Sequence, residues 1–222
     1  MNISHNIQNI LGEIPEHVRL LAVSKTKSIK EMEEAYKVGI RDFGENKVQE
    51  LIKKEEEFHK DVRWHQIGVI QTNKVKYLVG KVFLIHSLSS IKLLNQIEKE
   101  FAKSNLIANV LIQINIGKDE NKSGFYEEEI DSLVLEIEKC KHVKVKGLMC
   151  VLPKGDDDSN RIYFRKTKNI FDKLKGRQFQ NITMELLSMG MTHDYKIAIQ
   201  EGSNLIRIGE GIFGKRNYNL GG

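Results

Sequence analysis

The sequence has few of the residues that would build a disulfide framework or divide the chain into separate parts. Its 222 residues include two cysteines and two prolines. Cys140 and Cys150 form no C-x-x-C pair and are too few for a disulfide framework, so we interpret them as reduced thiols. No stretch rich in serine, glycine or proline interrupts the chain. Residues 1–222 are therefore expected to form a single domain.

The sequence also lacks the features of membrane, nucleic-acid-binding and metal-binding proteins. No apolar run reaches the about 18 residues of a membrane span, and no basic segment leads into an apolar one near residue 1. The 35 Lys and Arg residues are interspersed with 30 Asp and Glu residues, which argues against a nucleic-acid partner. The seven histidines have no spacing typical of metal ligands. We expect a cytoplasmic protein without a metal site, and the lack of an exposed apolar stripe favours a monomer.

Apolar runs typical of buried strands alternate with segments of helical spacing along the whole chain. An amphipathic helix, with Ile3, Ile7 and Ile10 on one face, comes first. Capping residues are predicted at Ser28, where Glu31 completes a capping box, at Ser89 or Ser90, and in the cluster 156–159. The predicted strands run from Leu20 to Lys25 and then over 41–45, 62–67, 82–87, 110–115, 145–150, 184–188 and 205–209.

Eight strands alternating with about eight helices favour a (β/α)₈ TIM barrel with an extra N-terminal helix, with a doubly wound sheet as the competing layout. The predicted strands become polar at their carboxyl ends. In a barrel these ends converge on one face, which is where function is expected. The polar residues are Lys25, Asn46, His65, His86, Asn115, Ser188 and Arg207.

Lys25 lies where the first buried strand opens into a loop. A partly desolvated amine has a lowered pKa, and its lone pair can attack a carbonyl to form a Schiff base. Lys27 is expected on the opposite side of the path from strand to loop. Position alone favours the simpler interpretation, in which both are ordinary solvated lysines.

The last loop, Gly209 to Gly214, matches G-x-G-x-x-G but opens no βαβ unit, so a dinucleotide site is excluded. Its backbone N–H groups could still surround an anion, and the loop from Ser188 to Thr192 adds a hydroxyl and a glycine. Loops after strands 7 and 8 of a barrel recurrently bind phosphate, although either loop alone could be an ordinary turn. A phosphate site facing Lys25 suggests a phosphorylated aldehyde such as pyridoxal 5′-phosphate.

Seven motifs in order along the chain carry a family resemblance. They are Ala22–Lys27, Phe43–Asn46, His65–Gly68 with Gln71–Lys74, Lys122–Gly124, Gly147–Met149, Leu187–Met191 and Arg207–Gly214. Through these motifs the sequence resembles the YggS/PROSC family of pyridoxal phosphate homeostasis proteins, whose fold is similar to the barrel domain of alanine racemase. It departs from that family at Gln66, Val69–Ile70 and Gly211, which affects the expected shape of the third loop.

The resemblance implies a cofactor, pyridoxal 5′-phosphate, and a set of residues that bind it. Lys25 would form the imine, Asn46 would line the ring, and Arg207 would approach the pyridine nitrogen. A cation there keeps that nitrogen unprotonated and weakens the ring as an electron sink. The complete implied set, with the phosphate on Ser188, Gly190, Gly209 and the Glu210 backbone, is Lys25, Asn46, Ser188, Met189, Gly190, Arg207, Gly209 and Glu210.

Three functions follow from these observations. The resemblance implies a protein that holds pyridoxal phosphate as a Schiff base for homeostasis, without appreciable catalysis, and supplies it to enzymes that depend on it. The alternative is an amino-acid racemase, but two-base racemisation needs a group on each face of the imine, and no residues remain for the separate domain that supplies the second base in alanine racemase. The third is a sugar-phosphate enzyme with Lys25 as an aldolase-type amine.

Overall fold

The computed structural model describes residues 2–153 and 155–215, and their strands form a closed parallel barrel in sequence order, with β8 pairing β1. The strands are β1 Arg19–Val23, β2 Asp42–Glu45, β3 Arg63–Gln66, β4 Leu84–Leu88, β5 Ala108–Ile114, β6 Val143–Cys150, β7 Ile182–Ser188 and β8 Leu205–Ile208. The predicted (β/α)₈ barrel is confirmed, and the doubly wound sheet is excluded because the sheet closes on itself.

Helices cover the outside of the barrel. They are α1 Ile3–Glu13, α2 Ile29–Lys37, α3 Val48–Glu57, α4 Ile91–Ala102, α5 Ile130–Ile137, α6 Asp157–Lys175, α7 Tyr195–Gln200 and α8 Glu210–Phe213, with 3₁₀ turns at Thr72–Tyr77 and Glu127–Glu129. The extra helix, α1, packs against α2 and α8, and Asn6 Nδ2 donates to the Ile212 carbonyl at 2.9 Å. None of the helices in the described ranges is long and apolar enough to cross a membrane.

The predicted helix starts are confirmed by their caps. Ser28 Oγ accepts from the Glu31 N–H at 3.3 Å while the Glu31 carboxylate accepts from the Ser28 N–H at 2.8 Å, which is a complete capping box. Ser90 caps α4, and Asp156 accepts from the Ser159 N–H at 2.9 Å to cap α6. Each cap satisfies an amide that the first turn of a helix leaves unpaired.

Side chains alternate between the two faces of each strand, so the barrel has an inner and an outer core. The outer core fills the space between strands and helices. The inner core is a small apolar cluster of Leu21, Leu84, Leu111, Met149 and Leu205. Above it, toward the carboxyl ends of the strands, the inward-facing residues become polar, as the sequence predicts.

Three segments near the carboxyl face differ from the prediction. The segment after β8, expected to be a loop, forms the helical turn α8, which ends at Gly214 with a φ of 77°. The helix expected over 192–201 is shorter because Asp194 Oδ1 accepts from the Met191 N–H at 2.6 Å and keeps that stretch in a turn. β1 ends at Val23, so Lys25 belongs to the following loop.

Candidate functional site

A cavity of about 910 Å³ opens at the carboxyl ends of the strands. Five of the eight residues predicted to bind a cofactor line it, namely Lys25, Asn46, Arg207, Gly209 and Glu210. The cavity also has lining residues that the sequence did not indicate, among them Ile67, Val151 and His193. Of the seven predicted polar strand ends, Lys25, Asn46 and Arg207 therefore meet at this cavity.

The backbone on both sides of Lys25 is anchored from beneath the loop. Lys54 Nζ donates to the Ser24 carbonyl at 2.7 Å, and Glu50 Oε1 accepts from the Thr26 N–H at 2.6 Å. Thr26 has a φ of 66°, a left-handed conformation that a threonine adopts only when its surroundings hold it there. The half-buried Lys25 side chain thus projects from a loop whose preceding and following peptides are both fixed.

The anchor is a buried group of charges that sequence analysis missed. Lys54 Nζ lies 2.8 Å from Glu45 Oε1 and 2.8 Å from Glu50 Oε1, and Ser24 Oγ donates to Glu45 Oε1 at 2.6 Å. Burial raises the pKa of Glu45, while Lys54 opposes that rise. Lys54 follows the buried Leu51 by three residues, a helical spacing that could have placed it on the inner face of α3.

Lys27 lines the same cavity as Lys25, in contrast to the prediction that it lies on the opposite side. Its Nζ donates to the Phe213 carbonyl at 3.0 Å and lies 3.2 Å from Glu31 Oε1. The positive φ at Thr26 turns the chain between the two lysines, which brings both to the cavity wall. Lys27 is thereby attached to the end of α8.

Arg207 is buried at the cavity floor, and its guanidinium is held by three oxygens. Nη1 donates to the Ser188 carbonyl at 2.7 Å and to Ser188 Oγ at 2.6 Å, and Nη2 donates to the Cys150 carbonyl at 2.8 Å. Burial lowers the pKa of Arg207, but a guanidinium starts so high that it remains charged. The cavity therefore has a fixed cation.

The three predicted residues at the end of β7 shape the loop and are not among those lining the cavity. Ser188 is fully buried, and its hydroxyl lies between Arg207 and His86, whose Nδ1 is 3.2 Å away. The Met189 side chain is in the outer core, and its N–H bonds to the Leu205 carbonyl at 3.2 Å. Gly190 has a φ of 89°, and a Cβ there would lie 2.7 Å from the Cβ of Ala198.

The loops after β7 and β8 are joined, because Thr192 Oγ1 accepts from the Gly211 N–H at 3.1 Å. Within residues 2–153 and 155–215, hydrogen bonds use the N–H groups of Met191 and Gly211 but not those of Thr192, Gly209 and Glu210. Thr192, Gly209 and Glu210 all line the cavity. Backbone donors in such a concave, glycine-containing loop suit an anion.

Asn46 is tied to the loop after β3. Gln66 Nε2 donates to the Asn46 carbonyl at 2.9 Å and to the Gly68 carbonyl at 3.0 Å, and Ser87 Oγ donates to the latter at 2.7 Å. A Cβ on Gly68 would lie 2.7 Å from Asn46 Cα, so the two loops fit only with glycine there. Gln66 thus holds the third loop against Asn46.

Two of the predicted polar strand ends pair with each other inside the barrel. His65 Nδ1 lies 2.9 Å from His86 Nε2, and His65 Nε2 lies 3.0 Å from Asp42 Oδ1. Burial lowers the pKa of both histidines. Arg63 Nη2 lies 2.6 Å from Asp42 Oδ2, and Arg63 together with His65 holds the pKa of Asp42 below its usual range despite the burial of that carboxylate. Asn115 instead holds its own loop, donating to the Asp119 and Lys122 carbonyls.

Comparison with known proteins identifies the family. The family model described as alanine racemase, N-terminal domain, matches residues 1–217. The pyridoxal phosphate homeostasis protein of Aquifex aeolicus is 43% identical over 202 residues, covering 90% of this chain and 88% of the relative. The chain belongs to the family of pyridoxal phosphate homeostasis proteins. The protein of the same name from Synechocystis sp. is 37% identical, covering 93% of this chain and 95% of the relative. The resemblance stated from the motifs is confirmed.

Solved structures agree with this assignment. PipY of Synechococcus elongatus, solved with PLP bound, is 29% identical with a TM-score of 0.87, covering 96% of this chain and 100% of that chain. Alanine racemase from Clostridium difficile is 15% identical with a TM-score of 0.79, covering 98% of this chain and 58% of that chain. The second similarity concerns the fold alone.

Proposed function

We propose that this chain binds pyridoxal 5′-phosphate at the carboxyl end of its barrel through Lys25 and acts in the intracellular homeostasis of that cofactor. Its curated relatives are named homeostasis proteins, and PipY was solved with PLP bound. When bound, the cofactor supplies an aldehyde that a lysine amine can attack, together with a phosphate and a pyridine ring.

One observation carries the proposal. A lysine on an anchored loop lines the same cavity as three backbone N–H groups that no acceptor in the described chain uses. The cavity volume of about 910 Å³ lies within the range of about 300–1,000 Å³ that is usual for small-molecule sites. An amine for the aldehyde and a cradle for the phosphate are thus available in one cavity.

Each lining residue has a role in this proposal. Lys25 holds the aldehyde carbon, and the Gly209 and Glu210 amides, joined by that of Thr192, hold the phosphate. Asn46 lines the ring. Arg207 is the cation near the pyridine nitrogen, where it keeps that nitrogen unprotonated. Ser188, Met189 and Gly190 support the site by shaping the loop after β7.

The proposal includes the absence of appreciable catalysis. An arginine beside the pyridine nitrogen weakens the ring as an electron sink, in contrast to a carboxylate. Amino-acid racemisation is the alternative function, but the similarity to alanine racemase extends over 58% of that enzyme's chain and concerns the fold alone. The proposal also includes a cytoplasmic monomer that supplies enzymes dependent on the cofactor.

The direct test is to add pyridoxal 5′-phosphate to the purified protein and measure visible absorption. We expect an imine band, and after borohydride reduction, mass spectrometry should find the added mass on Lys25. Lys25→Ala should lose the band. Lys27→Ala is the matched control, because Lys27 lines the same cavity but is held by Glu31 and the Phe213 carbonyl, and it should keep most of the band. A band that survives in Lys25→Ala and disappears in Lys27→Ala would show that Lys27, and not Lys25, forms the imine.

A further inference from the structure

Five side chains form a continuous hydrogen-bonded chain through the inside of the barrel. It starts at Asp42 in β2 and ends at Arg207 at the cavity floor. The successive distances are 3.0 Å from Asp42 Oδ1 to His65 Nε2, 2.9 Å from His65 Nδ1 to His86 Nε2, 3.2 Å from His86 Nδ1 to Ser188 Oγ, and 2.6 Å from Ser188 Oγ to Arg207 Nη1. The three central members and Arg207 are buried.

The residues at the two ends, Asp42 and Arg207, determine where every proton in this hydrogen-bonded chain lies. An ionised carboxylate only accepts hydrogen bonds, and a guanidinium only donates them. His65 therefore donates from Nε2 to Asp42, which leaves its Nδ1 to accept from the Nε2–H of His86. His86 Nδ1 then accepts the Ser188 hydroxyl proton, and Ser188 Oγ accepts from Arg207. All four bonds are satisfied with both rings neutral and protonated on Nε2.

We propose that Asp42, His65 and His86 are positioning residues that fix the buried Ser188 hydroxyl and, through it, the orientation of the Arg207 guanidinium at the cavity floor. The Ser188 proton points toward His86 and away from the cavity. Ser188 consequently acts on a ligand through Arg207, and a bound phosphate is read by backbone N–H groups. This assignment replaces the prediction that Ser188 offers its hydroxyl to the phosphate.

The charges around the two histidines favour this single arrangement. Asp42 is the anion at one end, while Arg63, Arg19 and Arg207 are the cations close enough to oppose a further positive charge. Protonating either ring would turn one of the two acceptor nitrogens into a donor and break a bond of the chain. The orientation of Arg207 should therefore be independent of pH over the range in which exposed histidines titrate.

The first test needs no ligand. Nitrogen-15 NMR of the histidine rings in the unmodified protein should show two rings protonated on Nε2 alone, unchanged between about pH 5 and about pH 8. His86→Phe should remove one of the two signals and assign it. Titration of both buried rings, or protonation on Nδ1, would overturn the proposal.

The second test measures the action on a ligand and rests on the proposed function. Ser188→Ala, His86→Phe and the double variant are titrated with pyridoxal 5′-phosphate and with pyridoxal. Because all three variants interrupt the same hydrogen-bonded chain, each should weaken binding of both ligands by about tenfold. The double variant should weaken binding no more than either single variant does. Loss confined to the phosphorylated ligand in Ser188→Ala, with His86→Phe unchanged, would show that Ser188 reads the phosphate directly. A wild-type protein that binds neither ligand would overturn the proposed function and leave the NMR result standing.

Discussion

Lys54 Nζ lies 2.7 Å from the Ser24 carbonyl oxygen, so a buried ammonium on α3 holds the peptide that precedes Lys25. Its partner Glu50 holds the Thr26 N–H on the other side. A functional lysine is most effective on a backbone that cannot shift, and this cluster supplies that rigidity from outside the cavity. Its energetics can be measured separately from ligand binding.

Replacing Lys54 should strongly destabilise the protein. Lys54→Met preserves the length of the side chain but leaves Glu45, which is fully buried, without its cation. Removing one partner of a buried ion pair typically costs about 3–5 kcal/mol, and we expect about 3 kcal/mol because Glu45 can relieve part of the cost by protonation. Denaturant unfolding at neutral pH measures this change.

The neighbouring residue provides the control for that experiment. Lys53→Met removes an exposed lysine from the same helix and should change the free energy of unfolding by no more than about 0.5 kcal/mol. Adding Glu45→Gln to Lys54→Met should restore part of the lost stability, since no buried charge then lacks a partner. Equal effects from the two lysine variants would mean that the Lys54 cluster contributes nothing beyond its packing.

The pKa of Glu45 gives a prediction for pH dependence. Burial, opposed by Lys54, raises this pKa above the ordinary value of 4.5. The folded state then binds more protons than the unfolded state, so this carboxyl costs stability as the pH rises from about 4.5 toward its raised pKa. Relative to Glu45→Gln, the wild type should lose up to about 1.4 kcal/mol of unfolding free energy per pH unit in that window. A difference that stays constant with pH would contradict a raised pKa.

Much of the fold was predictable because its signals are local. The Ser28 and Glu31 capping box and the apolar runs of the strands depend on residues close in sequence. The polar residues at the strand ends could also be recognised in the sequence. They lie on one face because the carboxyl ends of all eight parallel strands are at the same end of the barrel. The pairing of Lys54 with Glu45 was not predicted, since a charged helical residue gives no sign of the strand beneath it. The proposed direction of the Ser188 hydroxyl likewise depends on residues in four other strands, β2, β3, β4 and β8.

Gly190 should tolerate no side chain. Its φ of 89° disfavours any L-residue, and a Cβ would lie 2.7 Å from Ala198 Cβ and 2.8 Å from Tyr195 Cα. We expect Gly190→Ala to cost about 2–4 kcal/mol, combining backbone strain with overlap against α7. The control is Gly12→Ala in α1, where nothing lies within 4 Å and alanine should stabilise the helix by about 0.5–1 kcal/mol. Thermal unfolding of both variants tests the contrast, and a similar shift for the two would contradict it.

The loaded protein should not turn over amino acids at the rate of an enzyme. In its proposed role beside the pyridine nitrogen, Arg207 cannot give way to a proton on that nitrogen, because the Ser188 and Cys150 carbonyls hold its guanidinium. A proton on the pyridine nitrogen strengthens the ring as an electron sink. The other large contribution, a positioned general acid or base, typically adds about 10²–10⁴-fold to the rate. The protein is incubated with each proteinogenic L-amino acid in deuterated water, and exchange at Cα is followed by NMR. Exchange no faster than with free pyridoxal 5′-phosphate is expected. Exchange at an enzymatic rate that Lys25→Ala abolishes would favour the racemase instead.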